Sequence, residues 1–210
     1  ASFPEGKRQI LYFDTEQSDG HCHKVMERII KPTIKGMADD GIPYCGFLYA
    51  GLMIDRKGDP RVVEFNCRFG DPETQPIMMR MKSDLVDLCY KACMPGALEK
   101  ETIEYDSRAA VGVVLAAQNY PASPRKGDVI TGLDLDVSDN DVKVFQAGTR
   151  QDGDQIVTSG GRVLCVTALG TDVRSARDLA YRKIQDIHFD GIQYRRDIAW
   201  RAIAREEQQQ

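Results

Sequence analysis

The sequence predicts an α+β fold built in two successive parts, and three patterns carry that expectation. A run rich in apolar and aromatic residues, Tyr44–Ile54, is followed by the polar turn Asp55-Arg-Lys-Gly-Asp-Pro60 and a return run, Arg61–Arg68. Together they read as an antiparallel hairpin. Apolar residues recur at helical spacing from His23 to Asp40 (Val25, Met26, Ile29, Ile30, Ile34, Met37) and again after Ser83 (Leu85, Val86, Leu88, Cys89, Ala92, Cys93). Beyond residue 107 the texture changes: Ala109–Ala117 and Arg162–Leu169 are strongly strand-like, and a helix is expected from about Ser175 to Ile187.

Residues 1–20 are polar, weakly patterned and unassigned. In the helical run that follows, Pro32 lacks a donor N–H, so it kinks the helix or marks a start, and Asp40-Gly41 ends it. In the return strand Glu64, Asn66 and Arg68 share one face while Val63, Phe65 and Cys67 point the other way. That gives a chemical face and a packing face. Gly70-Asp71-Pro72-Glu73 ends the strand. A helix is expected through Ile77–Met81, and a second from Ser83, with Ser83 as N-cap, Asp84 adding charge to the first turn, and Pro95-Gly96 as the stop. The first part, 21–106, thus carries the hairpin and helices. The second, 107–205, adds shorter strands at Val142–Ala147 and Ile156–Thr158, turns at Gly148, Gly153, Gly160 and Gly161, and a helix carrying Ala176, Leu179, Ala180, Ile184 and Ile187. Residues 206–210 read as a polar tail.

At 210 residues the chain has room for one large domain or two small ones, since domains run to about 100–200 residues. A formal charge of −4 gives no basic footprint for nucleic acid, and no apolar run approaches the roughly 20 residues that span a bilayer. Ala1–Arg8 lacks the apolar core of a secretory signal. A chain that begins with Ala rather than Met reads as processed, trimmed or a fragment. The six cysteines sit mostly among apolar neighbours, as small hydrophobes, which fits a reduced, cytoplasmic protein. His21-Cys22-His23 could catch a stray metal ion, but no second pair lies at zinc-ligand spacing.

Chemistry concentrates in Glu64-Phe-Asn-Cys-Arg-Phe-Gly-Asp-Pro-Glu-Thr-Gln75. A carboxylate and a carboxamide two apart on a strand present oxygen ligands side by side, and Mg²⁺ takes hard oxygen donors together with substrate phosphates. Arg68 can neutralise a phosphate or clamp a carboxylate with two parallel bonds. Asp71 and Glu73 are candidates to orient a substrate amine or a ribose hydroxyl. Glu-X-Asn alone is a common pattern and reads first as a surface strand whose polar face simply meets water. The hairpin, Arg68 and Gly-Asp-Pro-Glu shift the balance towards function. The Gly160-Gly161-Arg162 turn has two readings: a tight turn needing glycine torsions, or an arrangement that aims Arg162 at an active cleft. His188 reads as a structural histidine, and Tyr44, Phe47 and Tyr49 as core aromatics.

The hairpin Gly51–Asn66 resembles the metal-binding hairpin of the ATP-grasp superfamily. Tyr44–Ile54 with Glu64–Pro76, Thr158–Gly170 and Arg196–Ala202 are similar to the phosphoribosylamine–glycine ligase family, over roughly residues 23–205. The resemblance implies the C-terminal part of an ATP-grasp core, an antiparallel sheet with helices, followed by a small α+β C-terminal domain. It implies Glu64 and Asn66 as ligands of Mg²⁺ or Mn²⁺ bridging ATP phosphates. Arg68 becomes the candidate catalytic residue, and Arg68, Asp71 and Glu73 candidate contacts to substrate or phosphate. The implied reaction joins glycine to 5-phosphoribosylamine through a glycyl phosphate, giving glycinamide ribonucleotide, ADP and phosphate in purine biosynthesis. Cys67 then serves packing, since no nucleophile is required.

Two departures stand beside the match. Many ATP-grasp enzymes carry another carboxylate on the preceding strand, where Gly51 stands here. Gln9–Asp19 also replaces the family's glycine-rich segment before the helix at His23, and no N-terminal domain or ATP lid is present. The missing N-terminal half of the ligase is therefore an expected partner. The chain alone is expected to bind Mg-ATP poorly and to turn over little, with the helix at His23–Asp40 loosened. A non-catalytic binding or assembly module on the same fold is the alternative.

Overall fold

The structure, a computed structural model, describes residues 23–55, 57–94, 96–98, 101–133 and 140–209. The unassigned stretch 1–20, together with His21 and Cys22, lies outside them. Proline shapes the first helix. Pro32 has no N–H and its ring crowds the carbonyl four residues back. The turn ahead of it, Met26–Ile30, is accordingly π-helical, with the Lys31 N–H reaching the Met26 carbonyl. Helix α1 (Lys31–Asp39) follows, and Gly41, at φ 78°, lets the Ile42 N–H return to the Met37 carbonyl at 2.9 Å. Only Ile29 of this helical stretch is buried, and α1 buries no residue.

Strands β1 (Tyr49–Ile54) and β2 (Pro60–Asn66) form the expected hairpin, with Tyr49 opposite Asn66, Gly51 opposite Glu64, and a bulge between Gly51 and Leu52. Asp55 shapes the turn, its Oδ1 accepting the Lys57 and Asp59 N–H groups at 2.8 and 3.0 Å. Lys24 and Arg28 reach the Asp59 carboxylate at 3.4 and 2.9 Å and tie the first helical turns to the hairpin. The first strand begins at Tyr49 rather than Tyr44, because Gly46 (φ 139°) and the Tyr44 hydroxyl donating to the Phe47 carbonyl at 2.6 Å bend the approach. The expected packing face is not buried: Val63 is 62% exposed, and Phe65 and Cys67 are exposed too. A two-stranded ribbon supplies no third layer to bury it against.

Helix α2 (Thr74–Arg80) starts earlier than Ile77, and α3 (Leu85–Ala92) is capped by Asp84, not Ser83. The Asp84 carboxylate accepts the Val86 and Asp87 N–H groups at 2.7 and 3.3 Å. By its contacts the chain divides into two units. One holds the residues up to Gly70 with Ser83–Ile103; the other holds Asp71–Lys82 with everything from Glu104 onward.

The second unit is built on β3 (Ala109–Ala116), β4 (Val142–Gln146), β5 (Thr149–Asp152), β6 (Gln155–Thr158) and β7 (Arg162–Gly170), followed by α4 (Val173–Ile184) and α5 (Trp200–Gln209). The main sheet is antiparallel in the order β3-β7-β4. Strand β7 is buried from Val163 to Leu169, which explains its continuous apolar run. Val111, Val113 and Leu115 lie opposite Ala168, Val166 and Leu164, and this face joins Ala176, Ala180 and Ile184 of α4 in the core. Gly112, opposite Thr167, belongs to the other face by alternation, where a Cβ on it would stand 3.2 Å from Pro76 of α2. The sheet therefore carries a helix on each side.

Four expectations need correction here. Helix α4 begins at Val173 and ends at Ile184; Asp172 is its cap, in a reciprocal capping box with Ser175. Ile187 is buried outside the helix, where His188 and Thr131 exchange backbone hydrogen bonds at 2.9 and 3.2 Å. The His188 side chain is exposed, so only its backbone is structural. The expected polar tail is the end of α5: Glu206 accepts the Val173 N–H at 3.3 Å, Arg174 pairs with Glu207, and Ile203 is buried.

An ion cluster flanks β3. Arg108 holds Asp106 through both carboxylate oxygens, at 3.0 to 3.2 Å, and Asp141 at 2.7 Å. The Arg108 guanidinium lowers the Asp106 carboxyl to about 2. The folded value lies below the ordinary 3.8, so the stabilisation is present above about pH 4 and lost as pH falls through about 2. Carboxyl NMR of this chain is expected to show Asp106 still ionised at about pH 3, and Arg108→Ala is expected to return its midpoint to the ordinary range.

Candidate functional site

In the first unit the site is the end of the hairpin. Glu64 and Asn66 alternate with Phe65 on β2, so they share one face about 7 Å apart along the strand. Among the described residues neither side chain makes a hydrogen bond or ion pair, which leaves a carboxylate and an amide oxygen free. Gly51 faces Glu64 across the ribbon, and a Cβ on Gly51 would stand 2.9 Å from Glu64 Cγ. The stem of Glu64 thus occupies the room that a side chain on the preceding strand would need. Two hard oxygen donors, Glu64 exposed and Asn66 half-buried, fit a divalent cation that keeps phosphate or water for its remaining shell.

Arg68 lies past the end of the strand. The strand stops at Asn66, and Arg68 Nη1 donates to the Phe69 carbonyl at 2.8 Å from an exposed bend. Phe69 stacks on Phe47, ring centroids 3.9 Å apart at 30°. Phe47 is 42% exposed, and Tyr44 and Tyr49 are half-buried, so none of the three is a core aromatic.

In the second unit the site is built around Asp71. Gln75 Nε2 donates to Asp71 Oδ1 at 3.3 Å, and Arg162 Nη1 donates to Asp71 Oδ2 at 3.2 Å and to the Asp71 carbonyl. Arg162 Nε donates to the Tyr120 hydroxyl at 3.0 Å. Glu73 is half-buried at the start of α2, with no capping bond from its side chain. The Gly160-Gly161 turn corrects the expectation of special torsions, since neither residue has positive φ. Close approach explains them: a Cβ on Gly161 would run into the Tyr120 ring, and one on Gly160 would stand 3.0 Å from Gly148 Cα.

Tyr120 escaped sequence reasoning altogether. It stands 42 residues from Arg162, and no local pattern links the two. Gln75 closed the quoted motif without a role. Of the cysteines, Cys165 behaves as a small hydrophobe, its thiol pushed by burial up to about 11, whereas Cys45, Cys67 and Cys93 are exposed. Cys67 therefore does not pack. No group of three or more His, Cys, Asp or Glu that could hold a metal gathers among the described residues. None of their helices is long and apolar enough to cross a membrane.

Comparison with known proteins gives the family. The profile described as phosphoribosylglycinamide synthetase, ATP-grasp (A) domain, matches residues 14–74, and the one described as phosphoribosylglycinamide synthetase, C domain, matches residues 110–201. The biotin carboxylase domain of Hydrogenobacter thermophilus 2-oxoglutarate carboxylase, 14% identical, superposes with a TM-score of 0.55 over 80% of this chain and 37% of its own. That likeness concerns the fold alone, and the ATP-grasp class comes from the first profile. Closer relatives narrow it. Phosphoribosylamine–glycine ligase of Escherichia coli (strain K12) is 60% identical over 90% of this chain and 44% of its own length. The Vibrio cholerae ligase is 56% identical over 88% of this chain and 42% of its own. The crystal structure of the Thermotoga maritima ligase is 38% identical with a TM-score of 0.73, over 83% of this chain and 42% of that one. The chain belongs to the phosphoribosylamine–glycine ligase family, and it spans less than half the length of the curated relatives it matches.

Proposed function

We propose that this chain carries part of the active site of a cytoplasmic ATP-dependent ligase joining glycine to 5-phosphoribosylamine. The observation that carries the reading is the free Glu64–Asn66 oxygen pair, with Glu64 opposite Gly51, in a chain of this family. Glu64 and Asn66 would hold Mg²⁺ or Mn²⁺, which when bound neutralises charge on the ATP phosphates. Arg68, on its exposed bend, is free to swing to a phosphate or carboxylate. Asp71 and Glu73 would take donors from the substrate. In the reaction the glycine carboxylate accepts the terminal phosphoryl group of ATP and ADP leaves. The substrate amine then attacks the acyl carbon, the acyl C–O bond breaks, and phosphate departs with the amide formed. Such chemistry depends on positioning and charge stabilisation rather than on a protein nucleophile.

The test is ADP release with ATP, Mg²⁺, glycine and freshly prepared phosphoribosylamine, for this chain and for the full-length gene product. Release by the full-length protein that needs both substrates, with little from this chain, is the expected result. Absence of release from both would move the non-catalytic module to the front.

A further inference from the structure

Asp71 is gripped more firmly than a surface carboxylate needs to be. Arg162 is the first residue of β7, and its carbonyl accepts the Gly148 N–H at 2.9 Å, so its backbone is fixed by the sheet. Its guanidinium forks: Nε donates to Tyr120, and Nη1 donates to both the carbonyl and the carboxylate of Asp71. Tyr120 in turn lies where Gly161 has no side chain. On the other flank, α2 rests on the sheet through Pro76 over Gly112, and Gln75 of the same helix holds Asp71 Oδ1. An ion pair this exposed, with the Arg162 and Asp71 side chains 40% and 48% accessible, contributes little to folding. What it does is fix the direction of a carboxylate that keeps lone pairs open to solvent. Beside it, Gln75 Oε1 is buried with no partner among the described residues. The open chemistry here is acceptor chemistry, suited to an amine or hydroxyl of the substrate.

We propose that Arg162, anchored by Tyr120, is a positioning residue that sets the Asp71 carboxylate for the substrate's donor group. The inference rests on the reading of Asp71 as a substrate contact. Lysine cannot replace the fork, because one ammonium cannot reach the Tyr120 hydroxyl together with the Asp71 carbonyl and Oδ2 in this geometry.

The experiment uses the full-length gene product with Asp71→Asn, Arg162→Lys, Tyr120→Phe and the double variant Asp71→Asn/Arg162→Lys. It reads kcat, KM for each substrate and the melting temperature. Asp71→Asn is expected to raise the KM of one substrate about 10- to 100-fold, the range of a lost charged hydrogen bond. Arg162→Lys should raise the same KM in the same direction, leave the other two and the melting temperature unchanged, and add nothing in the double variant. Tyr120→Phe should give a smaller effect of the same kind. Additive losses in the double variant, or a rise in every KM accompanied by lower melting, would overturn the positioning role. So would an inert Arg162→Lys beside a damaged Asp71→Asn, and in that case the Asp71 reading survives. Wild-type constants for Asp71→Asn would overturn both.

Discussion

Glu64→Ala in the full-length ligase is expected to lower substrate-dependent ADP release by about 100-fold or more, with melting unchanged. The Glu64 carboxylate makes no hydrogen bond or ion pair among the described residues and is exposed, so its loss opens no cavity and strands no buried partner. In the proposed function its contribution would lie in holding a cation against developing phosphate charge. A metal acting on a phosphoryl oxygen supplies several kcal/mol of charge stabilisation, and each ~1.4 kcal/mol is a factor of ten in rate. Asn66→Ala should fall between Glu64→Ala and wild type, because a neutral amide oxygen binds a hard cation more weakly than a carboxylate. Direct metal binding gives a second readout: Mn²⁺ relaxation enhancement with ADP should weaken in Glu64→Ala. A Glu64→Ala enzyme with wild-type turnover and Mn²⁺ affinity would remove the hairpin from the metal site.

The second large effect is on stability. Phe189→Ala is expected to destabilise the second unit by about 3–5 kcal/mol in urea unfolding of this chain followed by circular dichroism. Phe189 is the largest fully buried side chain among the described residues, in the core with Ile184, Ile187 and Leu115. Truncation forfeits the burial of the ring and leaves a cavity that the close-packed core cannot refill. A loss of that size approaches the whole stability of an ordinary domain, about 5–15 kcal/mol, so partial unfolding at 37 °C is the companion expectation. Val63→Ala serves as the control. That side chain is exposed on the hairpin, and its removal should stay within about 0.5 kcal/mol. Equal effects at the two positions would contradict the placement of the core.

The elements that depend on local pattern were legible, and those that depend on distant partners were not. Strand β7 was legible because burial on both faces demands an unbroken apolar run, and β3 because its Val111, Val113 and Leu115 face fills the core. Strand β5, Thr-Arg-Gln-Asp, was invisible: it is polar throughout, and its existence rests on pairing with β6. Helix α5 hides in a sequence that ends Glu-Glu-Gln-Gln-Gln, because what holds it is Ile203 in the core and Glu206 at the start of α4. The cap of α3 was displaced by one residue because Ser83 and Asp84 both suit an N-cap, and only backbone direction chooses between them. At the site, the pairing of Glu64 with Gly51 follows from strand register and could be anticipated, whereas the Asp71–Arg162–Tyr120 contacts join residues far apart in the chain and could not.

The division of the chain has a practical meaning for anyone wishing to dissect it. Because Asp71–Lys82 belong with the second unit and Ser83–Ile103 return to the first, the peptide crosses over at three places, 70/71, 82/83 and 103/104. No single nick yields two whole halves. A piece begun at Glu104 would keep the three-stranded sheet yet lose the helix seated over Gly112, uncovering the Cys165 and Thr167 side of β7. A piece begun at Asp71 would drag along a loop of residues from the other unit. A gene laid out this way cannot be shuffled as two cassettes, and a recombinant that swaps one part inherits a seam running through the other.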